Sequence, residues 1–249
     1  MTNTAYAFLL SSMAGISTLI GFLFIFIKRN REDIISKALG FAVGVMATVS
    51  ISDLIPSSLK AIITKHSIPI TFILIIIGFI IGIIISNIVD KKVEKTSKNS
   101  LKLYKLGIIS MLVIILHNIP EGIVTFITSN NNIKLGITLS IAIALHNIPE
   151  GISIAIPIYY STNSKIKAFL YTLISAISEP LGALLSYLFL SKYIDNTILG
   201  IIYAIIAGMM VNIAINELYK EAIKTNKKNT FKYIIYGSLL MIINHILFS

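Results

Sequence analysis

The string Leu-His-Asn-Ile-Pro-Glu-Gly-Ile stands twice in this sequence, at 116–123 and at 145–152. Each copy interrupts a long apolar run with an imidazole, an amide and a carboxylate. His117 and Glu121 lie four residues apart and Asn118 and Glu121 three, so on a helix Glu121 neighbours both on one face. His146, Asn147 and Glu150 repeat the arrangement. A carboxylate between an imidazole and an amide suits a bridge between two cations. A third acid, Glu179, stands at similar depth in a later apolar run, here just before a proline. Three buried carboxylates repel one another, and a divalent cation or protons relieve that repulsion. Imidazole, carboxylate and amide oxygen without sulfur favour Zn²⁺ or Fe²⁺, with Mn²⁺, Co²⁺ and Cd²⁺ in range.

The prolines predict how the ligands are presented. Pro120 has no amide hydrogen and clashes with the carbonyl of Leu116, one turn back. The expectation is a kinked or broken helix near mid-membrane, with the same logic at Pro149. Gly122 and Gly151 admit a close neighbouring backbone.

The elements around these residues are transmembrane. The chain has 249 residues, a mean hydropathy of +0.87 and only 13% charged residues. A soluble domain carries about 25%. The apolar runs reach about 20 residues, the length of a bilayer-crossing helix. The fold class is therefore all-α integral membrane. Eight spans are predicted, at roughly 5–27, 34–55, 67–89, 106–128, 135–158, 168–191, 197–217 and 231–248. They form one transmembrane domain over 1–249, without a long linker. The first run lacks a basic leader and a cleavage site, so it reads as a retained span.

The net charge of +10 does not point to nucleic acid, because the bases sit in short loops between apolar runs. One set of loops holds Lys28, Arg29, Arg31, Lys37, Lys91, Lys92, Lys95, Lys98, Lys102, Lys105, Lys165, Lys167, Lys220, Lys224, Lys227, Lys228 and Lys232. The other set holds Lys60, Lys65, Lys134 and Lys192. That bias places the first set in the cytoplasm and, with eight spans, both termini outside. The 90–105 stretch reads as the longest cytoplasmic loop, a solvated positive-inside loop rather than a lipid-headgroup site. Cysteine is absent, which excludes disulfides, iron–sulfur clusters and thiolate metal sites.

On this topology the two octapeptides run in opposite directions. A fainter pair does the same. Gly44-Val45-Met46 precedes Asp53-Leu54, and Gly208-Met209-Met210 precedes Glu217-Leu218 at the same spacing. Spans 1–3 would then mirror spans 6–8 around the central pair, an inverted 3+2+3 plan with its site at the midplane. Asp53 and Glu217 either mark the way in and out or simply end their helices. His66 and His245 read as interfacial surface, and Met46 and Met210 as core.

At these residues the chain resembles the ZIP (Zrt/Irt-like) family of divalent metal transporters, in its bacterial branch with broad selectivity. His-Asn-x-Pro-Glu-Gly in span four carries the resemblance, joined by His-Asn-Ile-Pro-Glu-Gly in span five and Glu-Pro-Leu-Gly in span six. The resemblance implies a first metal position at His117, Glu121, His146 and Glu150. It implies a second at Asn118, Asn147 and Glu179, with Glu121 and Glu150 bridging. Some relatives carry an acid in place of Asn147 or an amide in place of His146, which bears on metal preference. The resemblance also implies an entrance at Asp53, a cell-membrane location, zinc as substrate with no prosthetic group, and a possible homodimer. The histidine-rich cytoplasmic loop of many eukaryotic relatives has no counterpart here.

Two other functions compete with import of divalent metal. An intramembrane metal-dependent hydrolase would need an asymmetric site with an open position and a free base, and His-Glu-x-x-His is absent. A proton or cation channel could use the histidines as relays, but the adjacent amides favour a metal. The ligand set makes a sharp demand on pH, because imidazole must be neutral and the carboxylates ionised to bind metal. Affinity for zinc should fall as pH drops from about 7 to about 5, through the ordinary histidine range near 6.5. Calorimetric zinc titrations that stay flat across that interval would contradict the assignment.

Overall fold

Long runs of Ile, Leu and Val in hydrocarbon leave the backbone no hydrogen-bond partner but itself, so these runs form helices. The computed structural model describes residues 2–27, 30–96, 102–190 and 195–248, and among them there is no strand. The helices are α1 (Asn3–Phe22, continued by a tight 3₁₀ turn Leu23–Phe26), α2 (Arg31–Val49), α3 (Ile55–Ile62), α4 (Ile68–Thr96), α5 (Lys102–Asn131), α6 (Ile133–Thr162), α7 (Lys165–Leu185), α8 (Asn196–Ile213) and α9 (Lys220–Phe248). Wide π turns extend α2 (Ser50–Leu54), α7 (Ser186–Leu190) and α8 (Ala214–Tyr219). The starts are capped as the sequence allows. Thr2, Asn30, Asn132, Ser164 and Asp195 each accept a backbone N–H from the first turn. At Asp195 the Ile198 N–H, followed by the Lys65 ammonium, holds the carboxyl below its usual range.

Among the described residues seven helical stretches are long and apolar enough to cross a bilayer, the last of them Asn196–Leu247. That stretch is not straight. Asn226 has an extended backbone (φ −159°, ψ 101°), and its side chain accepts from Asn229 N–H, which restarts the helix. Before the break, α8 starts beside α3, where Ser58 donates to Gly200 O. After it, α9 runs alongside α2 from Gly40 and Thr230 to Asp53 and His245. The outer faces are apolar: Ile70, Phe72, Ile73, Ile76, Ile77 and Ile80 of α4 are all exposed.

Three expectations are corrected. The 90–105 stretch is mostly not a loop, because α4 continues to Thr96 and α5 begins at Lys102. The prolines do not break their helices: α5 runs unbroken through Pro120 and α6 through Pro149. One missing N–H in a 30-residue helix held by tight neighbours is tolerated. Span two is longer than expected, since α3 carries it to Ile62. Of the bases used to orient the chain, Lys28, Arg29, Lys98 and Lys192 lie outside the described residues.

Glycines organise the helices into two groups. Four parallel crossings are reciprocal: Gly21 with Gly151, Gly122 with Gly182, Gly44 with Gly237, and Gly82 with Gly208. In each, a methyl group on either glycine would strike the carbonyl three residues before its partner glycine. The first two crossings tie α1 to α6 and α5 to α7. The other two tie α2 to α9 and α4 to α8. All fourteen glycines have their nearest neighbours inside their own group, either α1/α5/α6/α7 or α2/α3/α4/α8/α9. The seam between the groups is filled instead by bulky side chains such as Leu39, Met46, Ile109 and Ile152. Gly44→Ala or Gly208→Ala overpacks a backbone crossing and should cost about 1–3 kcal/mol. Thermal unfolding in detergent checks this, and an unchanged midpoint in both variants would refute the crossings.

Candidate metal centre

The duplicated octapeptides meet where α5 and α6 cross antiparallel. His117 Nε2 lies 3.0 Å from Glu150 Oε2, and His146 Nε2 lies 3.3 Å from Glu121 Oε1. Each histidine of one copy thus faces the glutamate of the other. The first contact is a hydrogen bond; the second is close but poorly aligned, and His146 Nε2 makes no hydrogen bond. All seven residues His117, Asn118, Glu121, His146, Asn147, Glu150 and Glu179 are buried.

Helix α7 brings in Glu179 through the Gly122–Gly182 crossing, which places the Glu179 backbone against the octapeptide. The Asn147 amide nitrogen donates to Glu179 Oε2 and to Ala14 O, both at 2.9 Å. The Asn118 amide donates to Ser175 O at 3.4 Å. Helix α1 supports this from behind with a face of small residues, Ala7, Ser11, Ala14, Gly15, Ser17, Thr18 and Gly21. Ser11 donates to Glu179 O and Ser17 to Ala144 O.

These bonds leave several buried polar atoms of the centre unpartnered, most of them acceptors. Asn118 Oδ1, Asn147 Oδ1, Glu121 Oε2, Glu150 Oε1 and Glu179 Oε1 are buried acceptors without a donor, as is His117 Nδ1 on the nitrogen side. Buried acceptors without donors are costly, and bound cations or protons would relieve that cost. Among the described residues, however, no three His, Asp or Glu side chains converge on one point. Each acid instead faces a histidine or an amide: Glu121 faces His146, Glu150 faces His117 and Glu179 faces Asn147.

A cavity of about 340 Å³ reaches this centre along the seam. Glu121 and His146 form its floor, Tyr203 and Asn244 its wall, and Asp53 and His245 its far end. Asp53 sits in the π turn after α2, accepts from Ser52, and lies 2.6 Å from His245 Nδ1. Glu217 lies in the matching π turn after α8, at the opposite end, and the cavity does not extend to it. Both π turns begin six residues after their glycines, Gly44 and Gly208.

A model of the family described as ZIP zinc transporter matches residues 90–245, more than half of the chain. The chain belongs to the ZIP family. This ZIP protein is similar along its whole length to proteins named zinc transporter ZupT. One from Oceanobacillus iheyensis is 36% identical over all of both chains. One from Streptococcus mutans is 35% identical over 97% of each, and one from Campylobacter jejuni 35% over 94% of each. The family is one of transporters rather than enzymes.

Sequence reasoning missed three residues of this ZIP protein's cavity. His245, read as interfacial, is half-buried against Asp53. Tyr203 and Asn244 carried no local signal, although a tyrosine and an amide inside apolar runs could have drawn attention. His66 does lie near a helix end, against Thr197. Asn147→Ala would leave Glu179 and Ala14 O without their shared donor, at a cost of about 1–3 kcal/mol. Asn118→Ala, losing one long bond, should cost less. Unfolding midpoints of the metal-free variants test that order, and equal losses would contradict it.

Proposed function

We propose that the chain imports divalent metal ions, zinc foremost, across the cell membrane into the cytoplasm. The observation that carries this reading is the cavity that runs from Asp53 and His245 to a floor of crossed His/Glu pairs with unpartnered acceptors. Metal enters at the Asp53 end, displaces the His117–Glu150 and His146–Glu121 contacts, and leaves towards Glu217. His117, Glu121, His146 and Glu150 take the first ion. Asn118, Asn147 and Glu179 take the second, with Glu121 and Glu150 bridging. The names of the similar proteins support zinc as substrate. Fe²⁺, Mn²⁺, Co²⁺ and Cd²⁺ compete for the same ligands.

The proposed architecture has eight spans in a 3+2+3 inverted plan, with both termini outside. The reversal at Asn226 supports counting Asn196–Leu247 as two spans. The crossings support the symmetry. Span one on five corresponds to span six on four, and span two on eight to span seven on three. Alternating access is a movement of the α1/α5/α6/α7 group against the other along the glycine-free seam. A homodimer is the assembly that the family resemblance implies.

Radiolabelled zinc uptake into proteoliposomes is the test. Wild type should accumulate zinc, and Glu121→Ala and His117→Ala should abolish uptake. Glu179→Ala should retain one bound ion while changing rate or selectivity. No uptake by folded wild type would sink the proposal, and identical loss of bound metal in all three variants would refute two positions. Competition by the other divalent ions ranks the substrates.

A further inference from the structure

A second cavity lies on the same seam towards the opposite end, and its lining differs in kind. It measures about 360 Å³ and is walled by Phe24, Ile27, Ala38, Phe41 and Ile152, with Lys37 as its one charged member. Its walls come from both helix groups: α1 and α6 on one side, α2 and α9 on the other. Phe24 and Ile27 are exposed on the outer surface, so the cavity borders hydrocarbon rather than the metal path.

Lysines and aromatic rings frame it. The Lys37 ammonium lies 5.7 Å from the centre of the Tyr233 ring, which also lines the cavity. Lys165 lies 4.9 Å from the ring of Phe26, next to the lining residue Ile27. Lys232 lies 5.6 Å from the ring of Tyr236, one turn beyond Tyr233. Among the described residues every cation–π contact falls in this region. Lysine stems over aromatic rings, with ammonium heads towards water, mark a membrane interface. Lys37 already donates to Asp33 at 2.6 Å, but an ammonium has three donors.

We propose that this crevice holds one acyl chain of an anionic phospholipid, whose phosphate is held by Lys37 and the neighbouring lysines. A helix, about 10 Å across with its side chains, is too thick for the space, whereas a single hydrocarbon chain is not. The basic rim selects a negative headgroup. Seated between the two groups, the lipid acts as a wedge that a sliding seam must accommodate.

The test reads lipid retention and not transport, so its failure is distinct from failure of zinc uptake. Full-length protein is stripped in detergent and titrated with phosphatidylglycerol or phosphatidylcholine of identical chains, and bound lipid is counted by native mass spectrometry. Wild type should retain one phosphatidylglycerol at least fivefold better than phosphatidylcholine. Lys37→Gln should erase that preference, Lys37→Arg should keep it, and Ala38→Phe should reduce binding of either lipid by filling the crevice. Equal retention of both lipids by wild type would overturn the proposal, as would an unchanged preference in Lys37→Gln. If Ala38→Phe fails to fold, the Gln and Arg pair still decides. Unchanged binding in a folded Ala38→Phe also overturns it.

Discussion

Everything in this structure answers to one constraint: two imidazoles and three carboxylates are buried inside apolar helices. On insertion scales an acid at mid-membrane costs about 2.5–3.5 kcal/mol. The antiparallel crossing of α5 and α6 meets that cost by exchange. A duplicated sequence in inverted directions sets His117 against Glu150 and His146 against Glu121. The same duplication in parallel would bring like groups level with like. Inversion therefore turns two polar faults into one complementary centre, and Asn147 does the same for Glu179.

That exchange demands short distances between helices, and glycine supplies them. Gly122 and Gly151 belong to the octapeptides themselves, each directly after its glutamate, and each abuts a partner carbonyl on α7 or α1. The glycines and acids of the motif thus serve different neighbours: the crossings bring in α7 and α1, while Glu121 and Glu150 face the histidines across the α5–α6 contact. Helices without glycine at their contact stand further apart, and the seam is such a contact. Tight crossings hold each group together, and large side chains fill the boundary between them. Both cavities open on that boundary.

Most of the centre was legible in the sequence because its chemistry is local. Spacings of three and four residues within each octapeptide place the histidine, the amide and the acid on one face whatever the rest of the chain does. Glu179 was found by depth and its following proline. What the sequence hid was long-range or compensated. His245 takes meaning only from Asp53, which stands in another helix. The small residues of α1 read as an ordinary span until Asn147 donates to Ala14. Pro120 and Pro149 suggested breaks by a sound local rule, yet the surrounding helices hold α5 and α6 continuous. The reversal at Asn226 was expected as a loop and appears as one extended residue between two helices.

The repeat Gly-x-Met followed by an acid was the weakest sequence signal, and the π turns give it a physical reason. Gly44 faces α9, where its Cα abuts the carbonyl of Ile234. Asp53 follows nine residues later, which in an ideal α-helix is two and a half turns and about half a revolution away. It would then point away from α9. A π turn carries more residues per revolution, so Ser50–Leu54 delays the rotation. Asp53 accordingly meets His245 on that same helix and faces the cavity. Glu217 sits in the same kind of turn at the same distance from Gly208, at the opposite end. For Asp53 the spacing alone would not suffice; the widened turn rotates the acid back towards α9.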